Sequence, residues 1–235
     1  MKRKQPEEIS LKVIAHVKSD FPEKFGVPRQ SLRVPSLRAA VVFEEEYAVK
    51  EALRGIEGFS HLWLIWGFSH TAREKWSPTV RPPRLGGNRR MGVFATRSPN
   101  RPNPLGLSCV KLAGVISDRG RCALLVEGAD MIDGTPVYDI KPYLRACDSI
   151  PDALDGFAAA FEEYALRVDF PDELLALLPE EKRPGLLGVL REDPRPSYQN
   201  DGRTYGLSYA GFEIGFYVDE NKILHVIKTE KEKAK

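Results

Sequence analysis

Arginine, asparagine and proline side chains are concentrated in one run, RSPNRPNPLGLS, at residues 97–108. Prolines fix the backbone and so lower the entropy that is lost when a ligand binds, whereas arginine and asparagine supply directional hydrogen-bond donors. Guanidinium groups also match carboxylates and phosphates through two parallel hydrogen bonds. The run therefore predicts a rigid loop that binds an anion, and a proline-rich connector between two strands is the structural alternative.

A second run, DMIDGTPVYDIKPY at residues 130–143, carries the carboxylates of Asp130, Asp133 and Asp139. Carboxylates of this kind can bind a cationic ligand or ribose hydroxyls, or can accept a proton. Gly134 follows Asp133 and favours a turn, so Asp133 has an equally good interpretation as the residue that caps that turn. The segment predicts a ligand-binding or catalytic turn.

Charge is distributed unevenly along the chain. The whole sequence holds 35 Lys and Arg against 33 Asp and Glu, for a net charge of +2, but residues 75–117 contain eight Lys and Arg and no acidic residue. Trp76 and Phe94 lie within this basic stretch. Such a mixture favours a surface that neutralises phosphates and stacks on bases, and a solvated basic loop is the alternative.

Several classes of function are not supported by the sequence. The four histidines and three cysteines show no metal-ligand spacing, so we expect no metal site. The Gly-x-Ser-x-Gly, P-loop and Gly-x-Gly-x-x-Gly patterns do not occur. No apolar run approaches the roughly 18 residues that a membrane span needs, and the charged residues 1–8 are not followed by a hydrophobic block. We therefore expect no signal peptide and a cytoplasmic protein without a membrane contact.

The order of apolar runs predicts a mainly β fold. Short strands follow one another through the first 150 residues without regular intervening helices, which favours an antiparallel barrel over a doubly wound nucleotide-binding domain. A Pro-rich loop over residues 21–35 should run along the surface of that barrel, and residues 44–54 should form a helix. From Asp152 the pattern changes to short helices and a strand meander. We therefore expect a barrel domain over residues 1–150 and a small α+β domain over residues 151–235.

Four segments resemble a known family, and they are RPPRLGG (81–87), MGVFATRSPNRPNPLGLS (91–108), DMIDGTPVYDIKPYL (130–144) and DPRPSYQ (193–199). Together they are similar to the TsaA-like (TrmO) family of S-adenosylmethionine-dependent tRNA methyltransferases. The resemblance implies a β-barrel methyltransferase domain that is neither Rossmann-like nor knotted, a small C-terminal domain and a homodimer. It also implies a tRNA substrate, bound by its anticodon stem-loop.

The family resemblance implies a reaction as well. Similar members methylate the exocyclic nitrogen of N6-threonylcarbamoyladenosine, the modified adenosine immediately 3′ of the anticodon in certain threonine tRNAs. Carried across by motif, the contacts to S-adenosylmethionine fall on Pro28, Arg29, Gln30, His70, Thr71, Arg97, Leu107, Asp130, Met131, Ile132 and Asp133.

The chemistry of methyl transfer gives roles to some of these residues. A sulfonium and an ammonium group favour nearby carboxylates, for which Asp130 and Asp133 are candidates, and the carboxylate of the cofactor favours Arg29 or Arg97. Candidates for binding the anionic substrate and its neighbours are Arg84, Arg101 and Asn103. Asp139 and Tyr143 are hypotheses for the group that removes the proton.

Two other functions remain open. The same basic stretch would serve a non-catalytic RNA-binding module that keeps the barrel as a platform. Alternatively, the barrel would methylate another anionic nucleotide or small molecule. Binding of S-adenosylmethionine separates the first alternative from an enzyme, and the nature of the methylated product separates the second.

Overall fold

The structure, a computed structural model, describes residues 8–68, 75–82, 89–118, 121–161, 165–195 and 202–232. These residues contain twelve strands and three short α-helices, together with 3₁₀ helices and loops. The strands are β1 (Ala15–Lys18), β2 (Arg38–Phe43), β3 (His61–Gly67), β4 (Thr79–Val80), β5 (Met91–Gly92), β6 (Leu105–Asp118), β7 (Arg121–Glu127), β8 (Pro136–Pro142), β9 (Arg167–Asp169), β10 (Tyr205–Tyr209), β11 (Phe212–Val218) and β12 (Ile223–Lys231). The helices are α1 (Arg145–Asp148), α2 (Asp172–Leu175) and α3 (Arg183–Arg191).

Six of the strands close into a barrel in the order β1-β2-β7-β6-β3-β8, and every neighbouring pair is antiparallel. Alternate residues of each strand fill the interior, because successive side chains of a strand point to opposite faces. In β3 the inward side chains are Leu62, Leu64 and Trp66, and in β7 they include Leu124 and Val126. The mainly β fold class expected from the sequence is confirmed.

A second hydrophobic core lies under a four-stranded sheet of order β10-β11-β12-β9, in which only β9 runs parallel to its neighbour β12. Helix α3 packs on this core through Leu186, Val189 and Leu190. Tyr209 and Phe216 are fully buried in it. The aromatic residues of the C-terminal strands thus include core residues.

The Pro-rich segment between β1 and β2 packs in this second core, which corrects the expectation that it runs over the surface of the barrel. Phe21, Val34 and Leu37 are each at most 3% exposed and belong to the same cluster as the C-terminal sheet. Burial of three large apolar side chains outweighs the tendency of a Pro-rich loop to stay in solvent. The β1–β2 connection is therefore structurally part of the C-terminal unit.

Polar contacts reinforce this packing at both ends of the segment. Arg33 forms a two-point salt bridge with Glu192, with Nε–Oε2 at 2.9 Å and Nη2–Oε1 at 3.1 Å. Lys182 Nζ lies 2.7 Å from both carboxylate oxygens of Asp20. Bidentate geometry and partial burial make such pairs stronger than exposed ones.

Two predicted helices take a different form. Residues 44–54 form the separate 3₁₀ turns Glu45–Tyr47 and Lys50–Leu53, and Val49 between them is extended, with φ −104° and ψ 116°. Only Leu53 of these turns is buried, so the segment lacks the apolar stripe that stabilises a continuous α-helix. Within the described part of the chain, one of the short helices expected after Asp152 is likewise a 3₁₀ helix, Gly156–Phe161.

The two hydrophobic cores are not formed by two consecutive halves of the sequence. The barrel core draws on β1, β2, β3, β6, β7 and β8, and the second core adds residues 21–37 to the C-terminal strands and helices. The division into residues 1–150 and 151–235 stays a prediction. In the described residues, we find no helix that has both the length and the apolar character needed to cross a membrane.

Gly128 lies at the junction between the barrel and the β1–β2 segment. Its amide donates to Leu37 O at 2.8 Å, and its carbonyl accepts from Leu32 N at 2.8 Å. Its φ is +77°, and a Cβ added there would lie 2.6 Å from Leu32 Cδ2 and 3.1 Å from Leu32 Cα. Only glycine fits both the backbone conformation and the close approach of the two chains.

We expect Gly128→Ala to lower the free energy of unfolding by about 1–3 kcal/mol, because alanine is strained at this φ and would push Leu32 away. Urea denaturation measures the change. Gly58→Ala is the matched control, since a Cβ at Gly58 meets nothing within 4 Å. Equal stability of the two variants would contradict the role assigned to Gly128.

Candidate active site

Three predicted site residues that are far apart in the sequence meet at one place. Arg97 Nη1 donates a hydrogen bond to Gln30 Oε1, and Gln30 Nε2 donates to Arg29 O at 2.5 Å. The charge of Arg97 also acts on the carboxylate of Asp130, which accepts a hydrogen bond from the backbone N–H of Ser31. The β1–β2 segment, the proline-rich loop and the turn after β7 thus converge on one site.

Asp130 is held from the barrel side by a chain of hydrogen bonds. Ser108 Oγ donates to Asp130 Oδ1 at 2.6 Å, and Trp66 Nε1 donates to Ser108 Oγ at 2.9 Å. Burial raises the pKa of the Asp130 carboxyl above its ordinary value, although the hydrogen bond from Ser108 and the charge of Arg97 act in the opposite direction. A partly desolvated carboxylate of this kind is stabilised by a cationic ligand or takes up a proton.

Arg29 is positioned by the C-terminal unit. Its Nη2 donates to the carbonyl of Arg195 at 3.1 Å. Arg195 is itself buried and paired with Asp193, with Nε–Oδ1 at 2.9 Å and Nη2–Oδ2 at 3.0 Å. Because both charges of this pair are satisfied within the fold, the carbonyl that holds Arg29 has a fixed position.

The remaining residues of the acidic turn have structural partners. Asp133 Oδ1 accepts from Ser19 N at 3.1 Å, and its Oδ2 lies 3.4 Å from Lys18 Nζ. Met131 is buried, and its carbonyl accepts from Ser19 Oγ at 3.0 Å. The carbonyl of Ile132 accepts from a side chain of the same turn at 2.8 Å. Residues 131–133 therefore fasten the turn to the end of β1, and Asp130 is the carboxylate that lies near Arg97.

Leu107 and Asp139 lie on the opposite face of the barrel from Asp130. Leu107 is 56% exposed, whereas its neighbour Ser108 is 1% exposed. Ile65 pairs with both Leu107 and Asp139, and paired residues of adjacent strands share a face. Asp139 Oδ1 accepts from the next backbone N–H at 2.9 Å, and its Oδ2 lies 3.2 Å from Lys141 Nζ. Among the described residues, no hydrogen bond or ion pair joins Asp139 to Asp130.

Asp130 with its partners forms an inner group of predicted residues, and Leu107 with Asp139 forms an outer group on the outside of the barrel. The other predicted residues lie near one of these groups or in the loops. Tyr143 packs at the end of β8 against Trp63, with ring centroids 5.8 Å apart, and so belongs with the outer group. Arg101 and Asn103 lie in the proline-rich loop, where Arg101 is half-buried and Asn103 is exposed. Pro28 is buried beside Arg29.

Three predicted residues, His70, Thr71 and Arg84, lie outside the described residues. Sequence reasoning assigned no role to Ser108, Trp66 or Arg195, which support the site. Ser108 ends the RSPNRPNPLGLS run, which predicted an anion-binding loop, and Arg195 lies in DPRPSYQ, one of the segments that carry the family resemblance. Within the described ranges, no group of three or more His, Cys, Asp or Glu side chains could hold a metal ion.

The raised pKa of Asp130 predicts a pH dependence of stability. A carboxyl whose pKa is higher in the folded state stabilises the fold when protonated, and this contribution is lost as the pH rises through its folded-state pKa. Asp130→Asn keeps an acceptor for Ser108 but does not ionise. The stability of this variant relative to the parent should therefore increase as the pH rises above about 4, the ordinary pKa of an aspartate.

Urea denaturation of both proteins across this pH range tests the expectation. The exposed Asp152→Asn serves as the control for a general change in net charge. A constant difference between Asp130→Asn and the parent at all pH values would show that burial of Asp130 has no effect on its protonation.

Comparison with known proteins accounts for both parts of the chain. The family model described as tRNA-methyltransferase O N-terminal domain matches residues 16–149, and the one described as TrmO C-terminal domain matches residues 163–232. Among similar solved structures is a crystal structure of TrmO from Pseudomonas aeruginosa, with a TM-score of 0.75, 30% sequence identity and coverage of 95% of this chain and 99% of that one.

Two similar sequences span nearly the whole chain. A protein of Escherichia coli (strain K12) named tRNA (adenine(37)-N6)-methyltransferase is 43% identical over 216 residues, which cover 88% of this chain and 92% of that protein. A Pseudomonas aeruginosa protein provisionally named an S-adenosylmethionine-dependent methyltransferase is 37% identical over 227 residues, covering 93% and 96%. With both domain matches in order and identity at this level over most of its length, the chain belongs to the tRNA-methyltransferase O family.

Proposed function

We infer that the chain is an S-adenosylmethionine-dependent tRNA methyltransferase that acts on N6 of the adenosine next to the anticodon. The observation that carries this inference is the convergence of Gln30, Arg97 and Asp130 on one site, in a chain of this family. The Escherichia coli relative is named for a reaction at adenine 37 of tRNA, which supports the same position here. A tRNA substrate implies a cytoplasmic location, with which the three free cysteines are consistent.

The residues at the site fit the charges of S-adenosylmethionine. When bound, this group supplies a methyl group on a positively charged sulfur. The Asp130 carboxylate lies in a partly desolvated position where a cation is favourable, and the guanidinium groups of Arg29 and Arg97 are available for a carboxylate. Gln30 orients Arg97, and Arg195 orients Arg29. The protein's part in the reaction is therefore alignment and charge complementarity.

We extend the proposal to N6-threonylcarbamoyladenosine as the substrate nucleoside, in threonine tRNA. Its threonyl carboxylate requires a cation, and Arg101, with Arg84 and Asn103 as further candidates, lies in the sequence segments beside Arg97. In the described residues, Arg101 forms no ion pair with a carboxylate of the chain. A guanidinium group in the same loop as Arg97, without a carboxylate partner among the described residues, supports binding of an anionic modified base.

Asp139 and Tyr143 are the candidates for removal of the substrate proton. Asp139 and Tyr143 lie on the outer face of the barrel, away from Asp130 and Ser108. They contact a substrate only if it extends onto the outer face of β3 and β8, or if they belong to a site that a second subunit helps to form. Asp139→Asn with unchanged turnover would remove Asp139 from the mechanism.

A methylation assay tests the enzyme directly. Purified protein, S-adenosylmethionine and threonine tRNA that carries threonylcarbamoyladenosine should yield that nucleoside with the added mass of one methyl group. The same tRNA without the modification should yield no product, and Arg101→Ala should weaken binding of the modified stem-loop more than that of the unmodified one. Methylation of the unmodified tRNA, or of another anionic nucleotide, would replace the proposed substrate.

Calorimetry separates an enzyme from a non-catalytic RNA-binding module. Asp130→Asn should weaken S-adenosylmethionine binding by about 10- to 100-fold, because a charged partner is lost. Binding of the demethylated product, whose sulfur is neutral, should weaken less. Asp152→Asn is again the control, and failure of the parent protein to bind S-adenosylmethionine would favour the module.

We also propose that the chain forms a homodimer. Val42, Ala123 and Ile116 lie in one cross-strand row on the outer face of β2, β7 and β6, with Leu125 two residues from Ala123 on the same face. Val42, Ile116 and Leu125 are exposed, and burial against a second copy would remove this apolar surface from water. Sedimentation should give a dimer, and Leu125→Lys should shift it towards the monomer. A monomeric parent protein would contradict the proposal.

A further inference from the structure

Two large aromatic side chains are exposed on a small unit beside the barrel. Trp76 is 51% exposed and Phe94 is 75% exposed. The unit consists of the short strand pair β4–β5 and the 3₁₀ helix Val93–Ala95. It is anchored by Val93, which is 1% exposed. The exposure of both rings is costly in water and points to a ligand that covers them.

Backbone hydrogen bonds bring the segments that carry Trp76 and Phe94 close together. Val93 N donates to Pro78 O at 3.0 Å, which brings the residue before Phe94 against the residue that lies two positions after Trp76. Ser77 N, adjacent to Trp76, donates to Asn100 O at 3.3 Å. Trp76 and Phe94 therefore belong to one edge of the unit, alongside the proline-rich loop.

Positive charge lies at both ends of the β4–β5 pair, because Lys75 precedes Trp76 and three arginines adjoin the other end. Lys75, Arg81, Arg89 and Arg90 are exposed, and among the described residues none of them forms an ion pair with a carboxylate. Elsewhere, cations such as Arg33, Lys111 and Lys182 have carboxylate partners at 2.7 to 2.9 Å. Exposed cations on the same small unit as two exposed aromatic rings fit a polyanion with accessible π-faces, which describes RNA with unpaired bases.

The edge is also connected directly to the candidate active site. Thr96 N and Oγ1 both donate to Val93 O, at 3.1 and 2.8 Å, so the 3₁₀ helix is joined firmly to the residue before Arg97. Arg97 in turn reaches Gln30. A nucleic-acid strand held at Phe94 would lie only three residues along the chain from the site.

We propose that Trp76 and Phe94 form a stacking surface for unpaired bases that flank the target nucleotide in a single-stranded RNA loop. The choice of RNA loop rests on the proposed function, but the stacking itself is measurable without methyl transfer. Each ring covers one base face, and the surrounding cations bind the phosphates on either side.

Binding of a fluorescently labelled anticodon stem-loop, in the absence of S-adenosylmethionine, tests the proposal. Phe94→Ala and Trp76→Ala should each weaken binding of the stem-loop by about 5- to 100-fold, and should change binding of a fully paired duplex by less than about 2-fold. Phe94→Leu keeps an apolar side chain but no π-face and should behave like Phe94→Ala. Phe94→Tyr and Trp76→Phe should retain most of the affinity.

Two controls exclude indirect effects. Leu154→Ala removes a side chain that is 97% exposed in another part of the chain, and it should leave binding unchanged. Quenching of tryptophan fluorescence by the stem-loop should be smaller in Trp76→Phe than in the parent, because Trp76 is exposed in the proposed stacking surface, whereas Trp63 and Trp66 are hydrogen-bonded to Asp148 and Ser108 within the fold.

The outcomes distinguish this inference from the proposed function. An equal loss of stem-loop and duplex binding would overturn the stacking role and indicate general attraction to phosphates. Conversion of a dimer to a monomer by Phe94→Ala, with unchanged stem-loop affinity, would overturn it in favour of a second copy as the partner. Selective loss of loop binding in a protein that methylates no tRNA would support stacking while the proposed function fails.

Discussion

The structure depends on the position of the Asp130 carboxylate. It lies where burial disfavours its charge, and the groups that offset this cost come from separate segments: Ser108 in β6, Ser31 in the β1–β2 segment and Arg97 after the 3₁₀ helix. None of these groups neutralises the charge fully, since the pKa of Asp130 remains raised. A cationic ligand would stabilise the remaining negative charge of Asp130. The hydrogen bonds and charge interaction at Asp130 therefore both bring the three segments together and form a place where a cation can bind.

The C-terminal unit has a direct part in building this site. Residues 21–37 leave the barrel after β1, pack into the second core and return to the barrel at β2. On the way they present Arg29 and Gln30, held by Arg195 and Arg97. Removal of the second core would leave this segment without most of its apolar contacts. The geometry therefore indicates that the C-terminal unit positions a wall of the site.

Strand alternation divides the predicted site residues between two faces of the barrel. Ser108 points inward and supports Asp130, whereas Leu107, one residue earlier, points outward beside Asp139. A change of one residue along a strand moves a side chain to the other face, so neighbours in a motif need not share a site. Ser108 and Asp130 can therefore contact one ligand, whereas Leu107 and Asp139 can contact a different ligand or a second subunit.

The sequence by itself determined the mainly β fold, the position of the proline-rich run and the chemical character of Arg97 and Asp130, because alternation of apolar residues and residue type are local properties. It predicted a helix at residues 44–54 on charge pattern alone, and there the missing apolar stripe left only 3₁₀ turns. Tertiary structure alone decided that residues 21–37 join the second core, that Ser108 and Trp66 support Asp130, and that Arg195 holds Arg29. These outcomes depend on which segments meet in space, and contact between distant segments is set by packing of the whole chain, which no local pattern records.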